Sequence, residues 1–298
     1  MSAPNDPRKR FRRRRLTRFS LRTALVVTTV LAVWLGMHMN SVRKQRAAIE
    51  AVQRHGGEFA YDYKVTDDLL YAVNGEPAVP VWLLDIFGRD HFHDVVWMAT
   101  KESDDGVGNQ SESDELFLYV DRFPKLKGLT LRSSEANAKW LKYASQRESL
   151  RALEVWGSVD LSECGISHPA NFNKLERLDI VIAQVTGDFL HELSGKPHLR
   201  RLSFMYCELA GNGAKHLQEL TQLHEFTTFA SGITDEDLIH LAQLTQLRKL
   251  SLYERGVTED GLQHLVSLKN LEQLWLGGCQ VKDVSWLQKR LPKCKILL

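Results

Sequence analysis

Four histidines recur along the C-terminal half of the sequence at a metal-like interval. His216, His240 and His264 are each 24 residues apart, and His191 falls one residue out of step. A column of imidazoles suggests zinc, which needs three or four ligand atoms converging at about 2.0 Å. Histidines contributed one per unit by successive units of a curved array would be splayed apart, so the spacing predicts no metal. The "HFHD" stretch, His91 to Asp94, offers two ligands at best and reads as a strand cap. The cysteines Cys164, Cys207, Cys279 and Cys294 form no CxxC pair, and Cys207 and Cys279 lie 72 residues apart. A disulfide needs Cα atoms within about 7 Å, so buried free thiols are expected. No nucleophile elbow, phosphate-cradling glycine loop or HExxH pair is present. The expectation is no catalytic residue, no metal and no cofactor: a binding protein, not an enzyme.

Charge divides the chain. Residues 1–22 carry nine Arg and Lys against Asp6 alone, a net +8, which leaves −6 for the remainder of the 298 residues. Nucleic-acid binding would have to reside in that tail, and none is expected. Immediately after it, "TALVVTTVLAVWLGM" (Thr23 to Met37) carries no charge. A membrane-spanning helix wants about 20 apolar residues, and the exit "MHMNSVRKQR" lacks the small-x-small site of a cleaved leader. Residues 23–39 therefore read as an uncleaved signal anchor. The basic tail stays cytoplasmic by the positive-inside rule, and the C-terminal part is periplasmic or extracellular. "SVRKQRAAIEAVQRHGG" suits a short helix stopped by Gly56–Gly57, and "EFAYDYKV" alternates like a strand.

The apolar pattern that would position any functional side chain is an internal repeat. Leu126, Leu150, Leu175, Leu199, Leu223, Leu247 and Leu271 are separated by 24, 25, 24, 24, 24 and 24 residues. Each opens the same frame: "LKGLTLRSS", "LRALEVWGS", "LERLDIVIA", "LRRLSFMYC", "LHEFTTFAS", "LRKLSLYER", "LEQLWLGGC". Frame positions 1, 4 and 6 are apolar except at Thr228. Later in several units, "TDEDLIHL" and "TEDGLQHL" look like helix starts capped by Thr234 and Thr258.

These runs resemble the leucine-rich repeat family, whose frame is L-x-x-L-x-L-x-x-[NC]-x-L. Cys207 and Cys279 match its Asn/Cys place; Ser134, Ser158, Ala183, Ser231 and Arg255 depart from it. The helix half looks most like bacterial membrane-anchored members. The resemblance implies an α/β leucine-rich-repeat solenoid, with a curved parallel sheet inside and short helices outside, behind the N-terminal transmembrane helix. Residues 1–22 would be the tail, 23–39 the anchor, 40–90 a juxtamembrane helix, strand and leading cap, and 91–298 the repeat domain. That domain would hold about seven clear 24-residue units and a C-terminal cap made of "LQKRLPKCKILL". The acidic run "KESDDGVGNQSESDE" reads as a solvated loop, and "DLSECGISHPANFN" as a local irregularity.

In strands with positions 4 and 6 inward, positions 3, 5 and 7 face solvent. Position 7 reads Arg132, Trp156, Val181, Met205, Phe229, Tyr253, Gly277, with Ile182 and Tyr206 beside it. Trp156, Val181, Met205, Phe229 and Tyr253 form an apolar stripe bordered at position 3 by Arg177, Arg201 and Lys249. Such a stripe suits recognition of a protein partner, with the basic border steering it. Packing of aromatics along the column is the plainer alternative. The competing functional readings are an envelope component that self-associates laterally, and a soluble repeat adaptor of a ubiquitin-ligase-like type.

Overall fold

The computed structural model describes residues 21–66, 75–100, 119–132, 141, 144–157, 172–209 and 213–298. The tail before residue 21, the acidic run 101–115, Ser134, Ser158, Cys164 and most of the irregular stretch that follows fall outside those residues. Contacts divide the chain into two units, Met1–Arg43 and Lys44–Leu298. Helix α1 (Leu21–Arg54) begins in the first and ends in the second, and its residues 21–37 are exposed throughout. By length and composition it is able to cross a membrane.

The second unit is built on a ten-stranded sheet. Its strands are β1 (Glu58–Tyr61), β2 (Val95–Ala99), β3 (Gly128–Arg132), β4 (Ala152–Trp156), β5 (Arg177–Val181), β7 (Arg201–Met205), β9 (Glu225–Phe229), β10 (Lys249–Tyr253), β11 (Gln273–Trp275) and β12 (Lys295–Leu297). Helix α2 (Val81–Phe87) lies between β1 and β2 in the chain. Only β1 runs antiparallel; it covers the first edge by pairing Glu58 with Ala99. All the other pairings are parallel, and equivalent frame positions align: Leu153 with Leu178, Leu202, Phe226, Leu250, Leu274 and finally Ile296. The extra residue between Leu150 and Leu175 leaves this register unchanged. A second ribbon, β6 (Gln184–Val185) with β8 (Glu208–Leu209), begins the outer wall. That wall continues through helices α3 (Gly187–Ser194), α4 (Leu238–Leu241) and α5 (Ser285–Arg290) and 3₁₀ turns at Gly213–Glu219 and Gly261–Ser267. The architecture is the leucine-rich-repeat solenoid that the sequence predicts, with β2 as its first parallel strand and α5 and β12 closing it.

Stacking explains the frame. Every residue at positions 1, 4 and 6 of the seven units is buried, from Leu126 to Leu276. These leucines belong to one continuous core cluster that runs through the units, so burial is a property of the stack. Position 9 ties the strands together from inside. Cys207 Sγ donates to the carbonyls of Ile180 (3.3 Å) and Met205 (3.4 Å), and Cys279 Sγ to that of Leu252 (3.3 Å). Ser231, a departure from the frame, bridges strands in the same way. Its hydroxyl donates to the Phe204 and Phe229 carbonyls and accepts the Cys207 amide. The three cysteines among the described residues are free thiols; Cys207 and Cys294 are buried, and Cys279 is half-buried.

Two local expectations need correction. Thr186 caps α3 by accepting the Phe189 amide at 3.3 Å, but Thr234 does not cap α4. Its amide and hydroxyl both donate to Asp237 Oδ2 at 2.9 Å. Asp237, three residues on, takes both Thr234 donors in charge-assisted bonds, so the carboxylate closes this turn. Thr258 is engaged across units: its amide and hydroxyl donate to Asp235 at 2.7 and 2.6 Å, while its hydroxyl accepts the Asp260 amide. The "HFHD" stretch immediately precedes β2 and ties neighbouring segments to it. His93 Nδ1 lies 2.8 Å from Asp62, Asp94 accepts Lys125 at 2.7 Å, and Gln45 donates to the His93 carbonyl.

Thr228, the one polar residue in the inward frame, is fully buried, and its hydroxyl has no hydrogen-bond partner among the described residues. A buried unpaired hydroxyl costs on the order of 1–3 kcal/mol. Thr228→Val is expected to stabilise the repeat domain by about 1 kcal/mol, read as a higher denaturation midpoint in urea; a lower midpoint would mean that the hydroxyl is satisfied.

Candidate recognition surface on the inner face

The inner face begins with the alternation of β-strands, which turns positions 5 and 7 away from the core. Phe229 is 37% exposed, and Trp156, Met205 and Tyr253 are each half-buried. Val181 departs from the expectation: it is 2% exposed. Its neighbours in register are Trp156 and Met205, and a short β-branched side chain between two long ones about 4.8 Å away is overtopped by them. The exposed stripe is therefore interrupted at Val181. Packing between its aromatics is real as well: the Phe229 and Tyr253 rings lie 5.7 Å apart. The column ends at Gly277, where an added Cβ would run into the Tyr253 ring.

The basic border is already paired. Arg177 donates to Asp179 at 2.5 Å, Arg201 lies 3.4 Å from Glu225, and Lys249 is 3.0 Å from the other oxygen of the same carboxylate. Burial pushes the Asp179 carboxyl above its ordinary range, against the opposing pull of Arg177. Glu154 accepts Thr130 (2.9 Å) and the Trp156 indole (2.8 Å). Together Arg177, Asp179, Arg201, Glu225 and Lys249 line a shallow concavity of about 320 Å³ with mixed charge.

Position 8, one residue past the strand, carries the feature that strand alternation alone misses. It takes a left-handed backbone at Gly157 (φ 108°), Ile182 (φ 60°), Tyr206 (φ 53°), Ala230 (φ 48°) and Gly278 (φ 75°). In the sixth unit Glu254 occupies this place, and its buried carboxylate accepts the Ser231 and Gly232 amides. Glycine adopts this conformation freely, whereas a β-branched residue there is a true outlier. Ile182 and Tyr206 are nevertheless 52% and 58% exposed, so burial does not compensate the strain. The Tyr206 ring meets Phe229 edge-on at 5.0 Å. The side chains at position 8 therefore widen the apolar surface beside Met205 and Phe229.

On the outer wall the histidine column forms pairs. His191 Nδ1 lies 2.6 Å from Glu219 Oε2, His216 Nδ1 is 2.8 Å from Glu219 Oε1, and His240 Nδ1 faces Gln218 at 3.4 Å. Among the described residues no three His, Cys, Asp or Glu side chains gather in metal-ligating geometry. The hydrogen bond to Glu219 raises His191 above the usual histidine value, and His191 holds Glu219 below the usual carboxylate range.

No protein-family model matches the chain, and no curated protein matches it. Solved structures do. An internalin from Listeria monocytogenes is 16% identical, covering 60% of this chain and 69% of its own, with a TM-score of 0.32. A leucine-rich repeat protein from Leptospira interrogans is 19% identical over 60% of this chain and 44% of its own, at 0.43. TLR13, in its complex with ssRNA13, is 18% identical over 68% of this chain and 32% of its own, at 0.45. This chain thus spans less than half the length of the latter two. These likenesses are partial; the solenoid is defined by the chain's own register.

Two outcomes are expected. Ile182→Gly relieves a left-handed strain of about 1 kcal/mol and leaves thermal stability unchanged or raised, despite the lost side chain. A drop of several degrees in Tm would mean that Ile182 packs as a core residue. The native stabilisation from His191 is present below the unfolded histidine pKa and fades as pH rises through the raised native one. In an NMR pH titration, Glu219→Gln is expected to return His191 to an ordinary histidine midpoint; an unmoved midpoint would show that the pair does not form in solution.

Proposed function

We propose that the chain is a membrane-anchored binding protein whose repeat domain recognises a protein partner through its inner face. The contact surface consists of Trp156, Met205, Phe229 and Tyr253, widened by Ile182 and Tyr206, and Val181 supports it from beneath. Arg177, Arg201 and Lys249 border it as members of ion pairs, so they contribute directional hydrogen bonding and charge selectivity more than long-range attraction. The observation that carries this reading is the strain at Ile182 and Tyr206. The fold accepts glycine at the equivalent Gly157 and Gly278, so stability alone does not call for exposed apolar side chains in the left-handed conformation. Local strain of this kind concentrates where function requires it.

The anchor is residues 23–39, within α1. The uncharged residues 23–37 are exposed throughout, and the two threonines in mid-segment turn their hydroxyls inward. Thr28 and Thr29 donate to carbonyls at Ala24 and Leu25, as polar groups in hydrocarbon must. With the basic tail held in the cytoplasm, the repeat domain lies on the opposite side, periplasmic or extracellular.

Ile182→Gly with Tyr206→Gly separates recognition from folding, because both changes suit the local backbone. In crosslinking capture from the native membrane, the double variant is expected to keep its melting temperature and lose the partners held by the wild-type chain. An unchanged partner set would sink the inner face as the binding site.

A further inference from the structure

A second apolar surface lies far in sequence from the inner-face column. In helix α2 the side chains of Val81, Trp82, Ile86 and Phe87 are all exposed, and so is Phe92 after it. Only Leu84 of the helix is buried. At about 100° per residue, Trp82, Leu83, Ile86 and Phe87 fill one hemisphere of the helix, with Asp85 outside it. Phe87 and Phe92 meet edge-on at 6.4 Å, which extends the patch beyond the helix. Nothing in the repeat frame accounts for it, since α2 precedes the first parallel strand.

The patch is fixed to a defined point of the chain. Asp90 accepts Arg46 Nε at 3.3 Å and the Tyr61 hydroxyl at 2.9 Å. Arg46 is nine residues beyond Met37, the end of the uncharged run, and nine residues span at most about 31 Å even when fully extended. Chain connectivity alone therefore keeps this patch close to wherever residue 37 resides. Arg43 and Lys44 lie on the connecting chain and Arg89 directly follows the helix and Gly88; against them stand Asp85 and Asp90, the latter paired with Arg46, so the local balance is mildly basic.

We propose that α2 and Phe92 form a membrane-surface contact. Trp82, Ile86 and Phe87 enter the headgroup region of the bilayer that α1 spans, and Arg43, Lys44 and Arg89 face anionic lipid headgroups. A short helix with an exposed Trp and bulky apolar side chains, flanked by basic residues, suits an interfacial position better than open water. A short tether also makes the second contact effectively intramolecular, so a modest apolar patch suffices. The inference rests on α1 being the membrane anchor.

The full chain, reconstituted in phosphatidylethanolamine vesicles that contain phosphatidylglycerol, tests it. A photoreactive phenylalanine analogue is placed singly at Leu31 in the span, at Ile86 in the patch, or at Ile239, which is exposed on the outer wall. Lipid adducts are expected at positions 31 and 86 and not at 239. Adducts at 31 without adducts at 86 overturn the surface contact and leave the anchor standing. Crosslinking at 86 to a second copy of the chain also overturns it, identifying the patch as a subunit interface. Absence of lipid adducts at 31 overturns the anchor and this inference together.

Discussion

Leucine side chains at frame positions 1, 4 and 6 have somewhere to go only if another unit lies alongside. A single 24-residue turn has one short strand and one short outer segment, which enclose almost nothing. The parallel register from β2 to β12 answers this by placing like residues over like, so that Leu202 rests between Leu178 and Phe226 and each supplies part of the next one's surroundings. The backbone ladder, the Cys207 and Ser231 bonds inside the turns, and the columns on the inner face all follow from that one repeat distance. So does the need to close the array. β1 runs against the grain at the first edge, and β12 with α5 finishes the last turn.

A register that strict also fixes what the inner face can present. Whatever stands at position 3, 5 or 7 faces the same place in adjacent units, so charges and rings are forced into rows. The row of Arg177, Arg201 and Lys249 would repel itself if left bare. Asp179 and Glu225 resolve that conflict within the face, with Glu225 shared between two cations. The aromatic row resolves its crowding by other means: Gly277 leaves room for Tyr253, and Val181 is short enough for Trp156 and Met205 to close over it.

Much of this was legible from the letters because leucine spacing is a direct imprint of stacking. The seven frames, the C-terminal cap and the solvent side of Phe229 could all be read from periodicity. Features set by contacts between units could not. Period-two alternation places Val181 outward, and says nothing of the larger side chains, Trp156 and Met205, that stand beside it in register. The same alternation treats Arg177 as a free border charge, although Asp179 two residues on is its partner. Position 8 is missed because the left-handed turn is signalled by glycine at Gly157 and Gly278 and disguised by Ile182 and Tyr206. Comparing that position across the seven frames would have exposed it, since a place that accepts Gly twice is a place with unusual backbone. At Thr234 the familiar helix-start pattern misled because Asp237, in the same short motif, engages the hydroxyl as a donor.

The unit that begins at Leu150 is one residue longer than its fellows, yet Leu153 still pairs with Leu178 and Trp156 with Val181. The surplus residue shifts neither strand, and nothing propagates to the inner row. The solenoid thus separates two kinds of variation. Strand residues are bound to a fixed metre, whereas the segments between them tolerate changes of length. A peptide tag, a fluorophore site or a whole inserted module belongs in those outer connections, where the chain already shows that it can count differently without losing its place.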